Sequence, residues 1–137
     1  MVLPRARKAQ PFYRVAKQRF EDAQFLLQHD RTTGAVHLAG YGVECILKAL
    51  IIDSVPAKNR DTIISSFRGA RGHDFEWLKE QYQKAGGAGF PIQIQEYFTT
   101  ITWTTDLRYQ SGMMKQDDAE AFLAAAEAII NWADRRM

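Results

Sequence analysis

An arginine and a histidine with four residues between them, Arg68 and His73, stand in the stretch FRGARGHDF at 67–75. The pair has the residue types for cleaving RNA without a metal. An imidazole that titrates near neutrality can move a proton to or from a 2′-hydroxyl. A guanidinium can grip the neighbouring phosphate through paired hydrogen bonds. The same residues read equally as a basic loop entering a helix. In that reading His73 and Asp74 satisfy the free amides of the helix start, and Arg68 and Arg71 are solvated or touch phosphate.

A second constellation is His37, Tyr41, Glu44 and Lys48. Steps of four, three and four stack these side chains along one face of a helix. Two readings stand here too. Glu44 and Lys48 meet a ligand or a second copy of the chain while Tyr41 stacks on a base, or Glu44 and Lys48 pair internally at i,i+4 for about 0.3–0.5 kcal/mol. A third candidate is Arg108 beside Tyr109, a phosphate and base contact or a salt bridge to Asp106 or Asp117 at the bundle end.

Other chemistry is excluded by composition. One cysteine, Cys45, leaves no internal disulfide and no thiolate cluster for zinc. His29 stands alone, so no metal site is expected. The GGAGFP run at 86–91 has no Gly-Lys-Ser/Thr after it and no strand before it, and so is not a phosphate loop. No cofactor is expected. The net charge of +2 argues against a nonspecific nucleic-acid binder, although Arg5, Arg7 and Lys8 lie together with no acid before Glu21. Those basic residues have no apolar run behind them, so no secretory signal is expected. The sequence also reads as lacking an apolar run of the roughly 20 residues that cross a bilayer. A cytoplasmic protein with no membrane contact is the expectation.

The elements that must position these residues are helical. The 137 residues suffice for one domain with a core. Residues 1–11 read as a basic tail and 12–137 as the domain. Phe12, Ala16, Phe20, Ala23 and Leu27 set one buried stripe on a helix from about Phe12 to Gln28. The next helix, Thr33 to Asp53, is apolar on every side except the row just described, so it lies at the centre. Gly40 and Gly42 cost it about 1 kcal/mol each in helix propensity, which points to close approach by a neighbouring helix. Ser54 to Asp61 reads as a loop, Thr62 to Phe67 as a short helical piece, and 68–72 as a loop. Asp74 reads as the N-cap of a helix carrying Phe75, Leu78 and Tyr82. Pro91 suits the first turn of another helix, with Ile94, Phe98 and Ile101 on one side. Within it TTITWTT, at 99–105, has the β-branched content of a strand, but no second strand exists to pair with it. The last helix starts near Asp117, with Glu120 as a capping-box partner, and buries Phe122, Ala125, Ile129 and Trp132. Trp77, Trp103 and Trp132 read as core or interface residues. The fold class is all-α, a bundle of four to five helices.

These helices resemble a known family. AGYGVECILKALI, at 39–51, resembles the second helix of HEPN domains, named for nucleotide binding in higher eukaryotes and prokaryotes. GHDFEWL, at 72–78, resembles the opening of the next helix in the branch related to the sacsin C-terminal domain. LRYQSG, at 107–112, is similar to a segment after the fourth helix. DAEAFLAAAEAIINWADRR, at 118–136, resembles the last helix, and AKQRFEDAQFLL, at 16–27, fits the first. The resemblance implies an up-and-down helical bundle that forms a homodimer, with roles tied to nucleotides or RNA. Some members are metal-independent ribonucleases with an Arg-x4–6-His motif late in the fold. At the corresponding place here stands Arg108, and no histidine follows it. The resemblance therefore implies a non-catalytic dimeric module that binds a nucleotide, RNA or a partner such as a toxin–antitoxin nucleotidyltransferase. Its ligand residues would be Arg108, Tyr109, Arg68, Arg71 and the His37/Tyr41/Glu44/Lys48 face. The alternative is a metal-independent endoribonuclease working through Arg68 and His73.

Overall fold

The computed structural model describes residues 2–105 and 114–137, with side chains in the first stretch as far as Thr102. Among the described residues there are six α-helices and no strand. The first, α1, spans Gln10–Gln28 with Pro11 in its opening turn. Ala16, Phe20 and Ala23 are buried as their spacing requires, whereas Phe12 and Leu27 are only partly covered. Tyr13, absent from the expected stripe, is fully buried, and its hydroxyl donates to Asp134 Oδ1 at 2.9 Å. A phenol can enter a core when its polar tip finds an acceptor there.

A tight turn through Asp30, at φ 61°, reverses the chain into α2, Thr32–Ser54. This helix is the axis of the molecule. It packs against α1, against α6 (Gln116–Asp134) and against α4 (Phe75–Lys84). Every residue from Gly42 to Ile52 is buried. The expected close backbone approach is present at Gly42 but not at Gly40, which meets only a side-chain ring at ordinary contact distance. A Cβ on Gly42 would lie 3.2 Å from the Ala16 carbonyl oxygen of α1, and one on Gly40 3.4 Å from the Phe122 ring of α6. Contrary to the sequence reading, α2 is long and apolar enough to cross a membrane. Its most apolar window is 78% buried within the bundle, so the core accounts for that apolarity.

After α2 the chain makes a 3-10 turn, Ala57–Asn59, and then α3, Arg60–Ser66. Helix therefore begins two residues earlier than expected. The stretch 68–72, read as a loop, closes into a further 3-10 turn, Ala70–His73. Asp74 caps α4 as expected, its carboxylate accepting from the amides of Glu76 and Trp77. The β-branched segment is helical, within α5, Ile92–Thr105. Thr99 and Thr100 turn their hydroxyls back to the carbonyls of Gln95 and Glu96, so these side chains fit the helix. The last helix departs from its expected cap. Lys115 occupies the N-cap position with no side-chain bond, and Asp117 and Asp118 sit inside the first turn. There their charges face the unpaired amides of the helix start.

Residues before α1 also pack. Pro4, Ala6 and Ala9 are buried, and the Ala6 amide donates to Asp53 Oδ1 near the end of α2. The basic stretch thus lies against the bundle, because its small and apolar residues alternate with its cations.

Candidate functional site

The polar row of α2 changes character along its length. His37 is exposed and Tyr41 is 44% exposed, while Glu44 and Lys48 are 6% and 7% exposed. A buried carboxylate without partners is strongly disfavoured. Glu44 has two. Its Oε2 accepts from Lys48 Nζ at 2.8 Å, and its Oε1 meets His73 Nδ1 at 2.9 Å. The ammonium of Lys48 also lies 5.4 Å from the Phe67 ring centroid. The internal pair weighed in the sequence does form. It is a buried pair, however, for which the value for a solvated helix face is not the right scale.

His73 reaches α2 because of the turn before it. Gly72 packs on the end of α3 so closely that a Cβ would fall 1.8 Å from the Phe67 carbonyl oxygen. Only glycine fits that approach, and the next residue is delivered to Glu44. An ionised carboxylate only accepts hydrogen bonds, so beside it Nδ1 is the donor, and in the neutral ring Nε2 is then the acceptor. The His73 side chain is 69% exposed. The arrangement is an imidazole with a carboxylate behind it and solvent before it.

In front of His73 lies a cleft of about 500 Å³. His37, Tyr41 and Glu44 line it from α2, His73 and Asp74 from the turn before α4, and Glu76 from its first turn. Val36, Gly40, Phe75, Phe122 and Thr102 contribute the remaining wall. The space is therefore aromatic and carboxylate-lined. Such walls suit a flat ring bearing N–H donors better than a bare phosphate.

Three of the four residues of the α2 row thus meet His73 at one place. Lys48 stands behind Glu44. Arg68 and Arg71 do not line the cleft. Arg68 is exposed, and the Arg71 guanidinium lies over the Trp77 ring, 5.3 Å from its centroid. Arg108 and Tyr109, and the side chain of Trp103, lie outside the described residues. The link between Glu44 and His73 escaped the sequence reading. The available signal was a carboxylate in an otherwise apolar helix, which demanded a partner from elsewhere. Among the described residues no three His, Cys, Asp or Glu side chains are grouped to hold a metal ion.

Cys45, beside this row, is buried, and its thiol is pushed up to about 11, first by burial and then by the Glu44 charge. The thiolate is the reactive form, so the native protein is expected not to react with Ellman's reagent at pH 8. It should release one thiol in denaturant; prompt native reaction would contradict this burial. A raised folded pKa gives a contribution fully present below the unfolded value and lost as the pH climbs towards 11.

A family model for the HEPN domain matches residues 9–136. Comparison with curated proteins and with solved structures gave no match.

Proposed function

The chain belongs to the HEPN domain family, and on that footing we propose that it is a non-catalytic module that seats a nucleotide unit, free or within RNA. The observation that carries the reading is the cleft shared by α2 and the start of α4. The base enters beside Tyr41 and Phe75, where carboxylates at the wall accept from its amino groups. The phosphate stays at the mouth, near the outward nitrogen of His73, with Arg68 and Arg71 just before it in the chain. Arg108 and Tyr109 belong to the same proposal. Purified protein is expected to bind mononucleotides in isothermal titration calorimetry. Tyr41→Ala is expected to weaken that binding by about 1–3 kcal/mol, the worth of one base–aromatic stack. Unchanged affinity in Tyr41→Ala and in Arg108→Ala would remove the reading.

One observation favours a second reading, metal-independent RNA cleavage. The carboxylate-held imidazole of His73 is the arrangement that activates a proton acceptor. Nε2 would take the proton of a ribose 2′-hydroxyl, and the 2′-oxygen would attack the adjoining phosphorus. The 5′-oxygen would leave, taking a proton, to give a 2′,3′-cyclic phosphate and a free 5′-hydroxyl. This reading requires cleavage that survives EDTA and disappears in His73→Ala. The binding reading requires none above a mock preparation.

A further inference from the structure

The charges of this chain are divided between two parts of the fold. Segments 2–17, 48–72 and 132–137 hold twelve Lys or Arg against three Asp, and all other positions hold six against thirteen acids. The three basic segments meet at one end of the bundle. The Ala6 amide bonds to Asp53, Lys8 pairs with Asp61, and Lys17 and Tyr13 both engage Asp134. Those interactions occupy all three acids of the three segments. Arg5, Arg7, Arg14, Lys58, Arg68 and Arg135 are exposed there, with no ion pair among the described residues.

We propose that this basic end is a track for the phosphate backbone of single-stranded RNA, running from the α2 terminus to the cleft at His73. The inference rests on the nucleotide reading of that cleft and extends it from a single nucleotide to a polymer. A chain whose charge nearly cancels overall still holds a polyanion when its cations are segregated. Arg68 and Arg71 precede His73 by five and two residues, so the chain leads from the basic end to the cleft. A polynucleotide offers both a repeating phosphate for the track and a base for the cleft. An anionic lipid surface offers only the first, and an acidic face of a second copy likewise.

The test uses a fluorescein-labelled 2′-O-methyl strand of about 12 nucleotides, long enough for one site and inert to cleavage through its 2′-oxygen. If about four phosphates are neutralised, the affinity should fall about fifty-fold between about 50 and about 200 mM KCl. The triple variant Arg5→Gln/Arg7→Gln/Lys58→Gln should bind at least about tenfold more weakly in low salt. Its salt slope should flatten by about one for each phosphate-bound cation removed, with mononucleotide binding unchanged. Strand binding equal to the parent in the triple variant would overturn the track. So would capture by phosphatidylserine vesicles, or salt-sensitive self-association, with no strand binding. Salt-sensitive strand binding without mononucleotide binding would uphold the track and defeat the cleft reading alone.

Discussion

Removing the Glu44 side chain, as in Glu44→Ala, is expected to lower the unfolding free energy by about 3–5 kcal/mol. The carboxylate holds Lys48, whose ammonium sits in an almost fully buried position beside the Phe67 ring. A cation over an aromatic face recovers only about 0.5–2 kcal/mol, which does not replace a charged partner in a low-dielectric place. The reverse experiment is sharper. Glu44→Leu/Lys48→Leu removes both charges and keeps apolar volume, and should return stability to within about 1–2 kcal/mol of the parent. His73→Ala should cost less than about 1 kcal/mol, because its imidazole is largely in solvent. Urea unfolding followed by circular dichroism measures all three. A Glu44→Ala cost no greater than that of His73→Ala would show the pair to be effectively solvated. Both Glu44 variants should also free the His73 ring, visible as a change in its NMR tautomer signature.

Gly72→Ala is the second large effect. Its new methyl would lie 1.8 Å from a backbone oxygen and 2.8 Å from the carbonyl carbon of Phe67. Backbone cannot swing aside as a side chain does, so the turn must open. Phe67 would lose its packing between Phe12 and Trp77, and His73 would leave Glu44. The expected loss is at or above the top of the usual overpacking range of about 1–3 kcal/mol, with reduced nucleotide affinity. Gly89→Ala is the control. Nothing lies within 4 Å of that Cβ, so the change should be neutral or stabilising by at most about 1 kcal/mol. A Gly72→Ala protein as stable as the Gly89→Ala protein would mean that the turn does not hold His73 in place.

These two sites show where local pattern sufficed and where it did not. Asp74 as the cap of α4 could be read from the chain, since capping needs only an acceptor two or three residues before the amides it serves. Gly42 of α2 pointed correctly to a close neighbour, because a glycine that weakens a helix leaves room for another backbone; Gly40, read the same way, meets only a side chain. The cap proposed at Asp117 failed for want of information beyond the local motif. Thr32 and Thr33 bind the backbone of Met114, and that tertiary tie fixes where the chain enters α6.

The sequence by itself determined the helices, most of their buried positions and the central place of α2, because helical periodicity is a property of neighbours three and four residues apart. It also determined that Glu44 and Lys48 share a face. Only the tertiary structure decided that Glu44 divides its two oxygens between Lys48 and a histidine 29 residues away. It alone left Arg68 outside the cleft and brought three separate basic segments to one end. Those outcomes depend on how helices pack and which turns close. Such distances are set by the whole core, and no spacing along the chain encodes them.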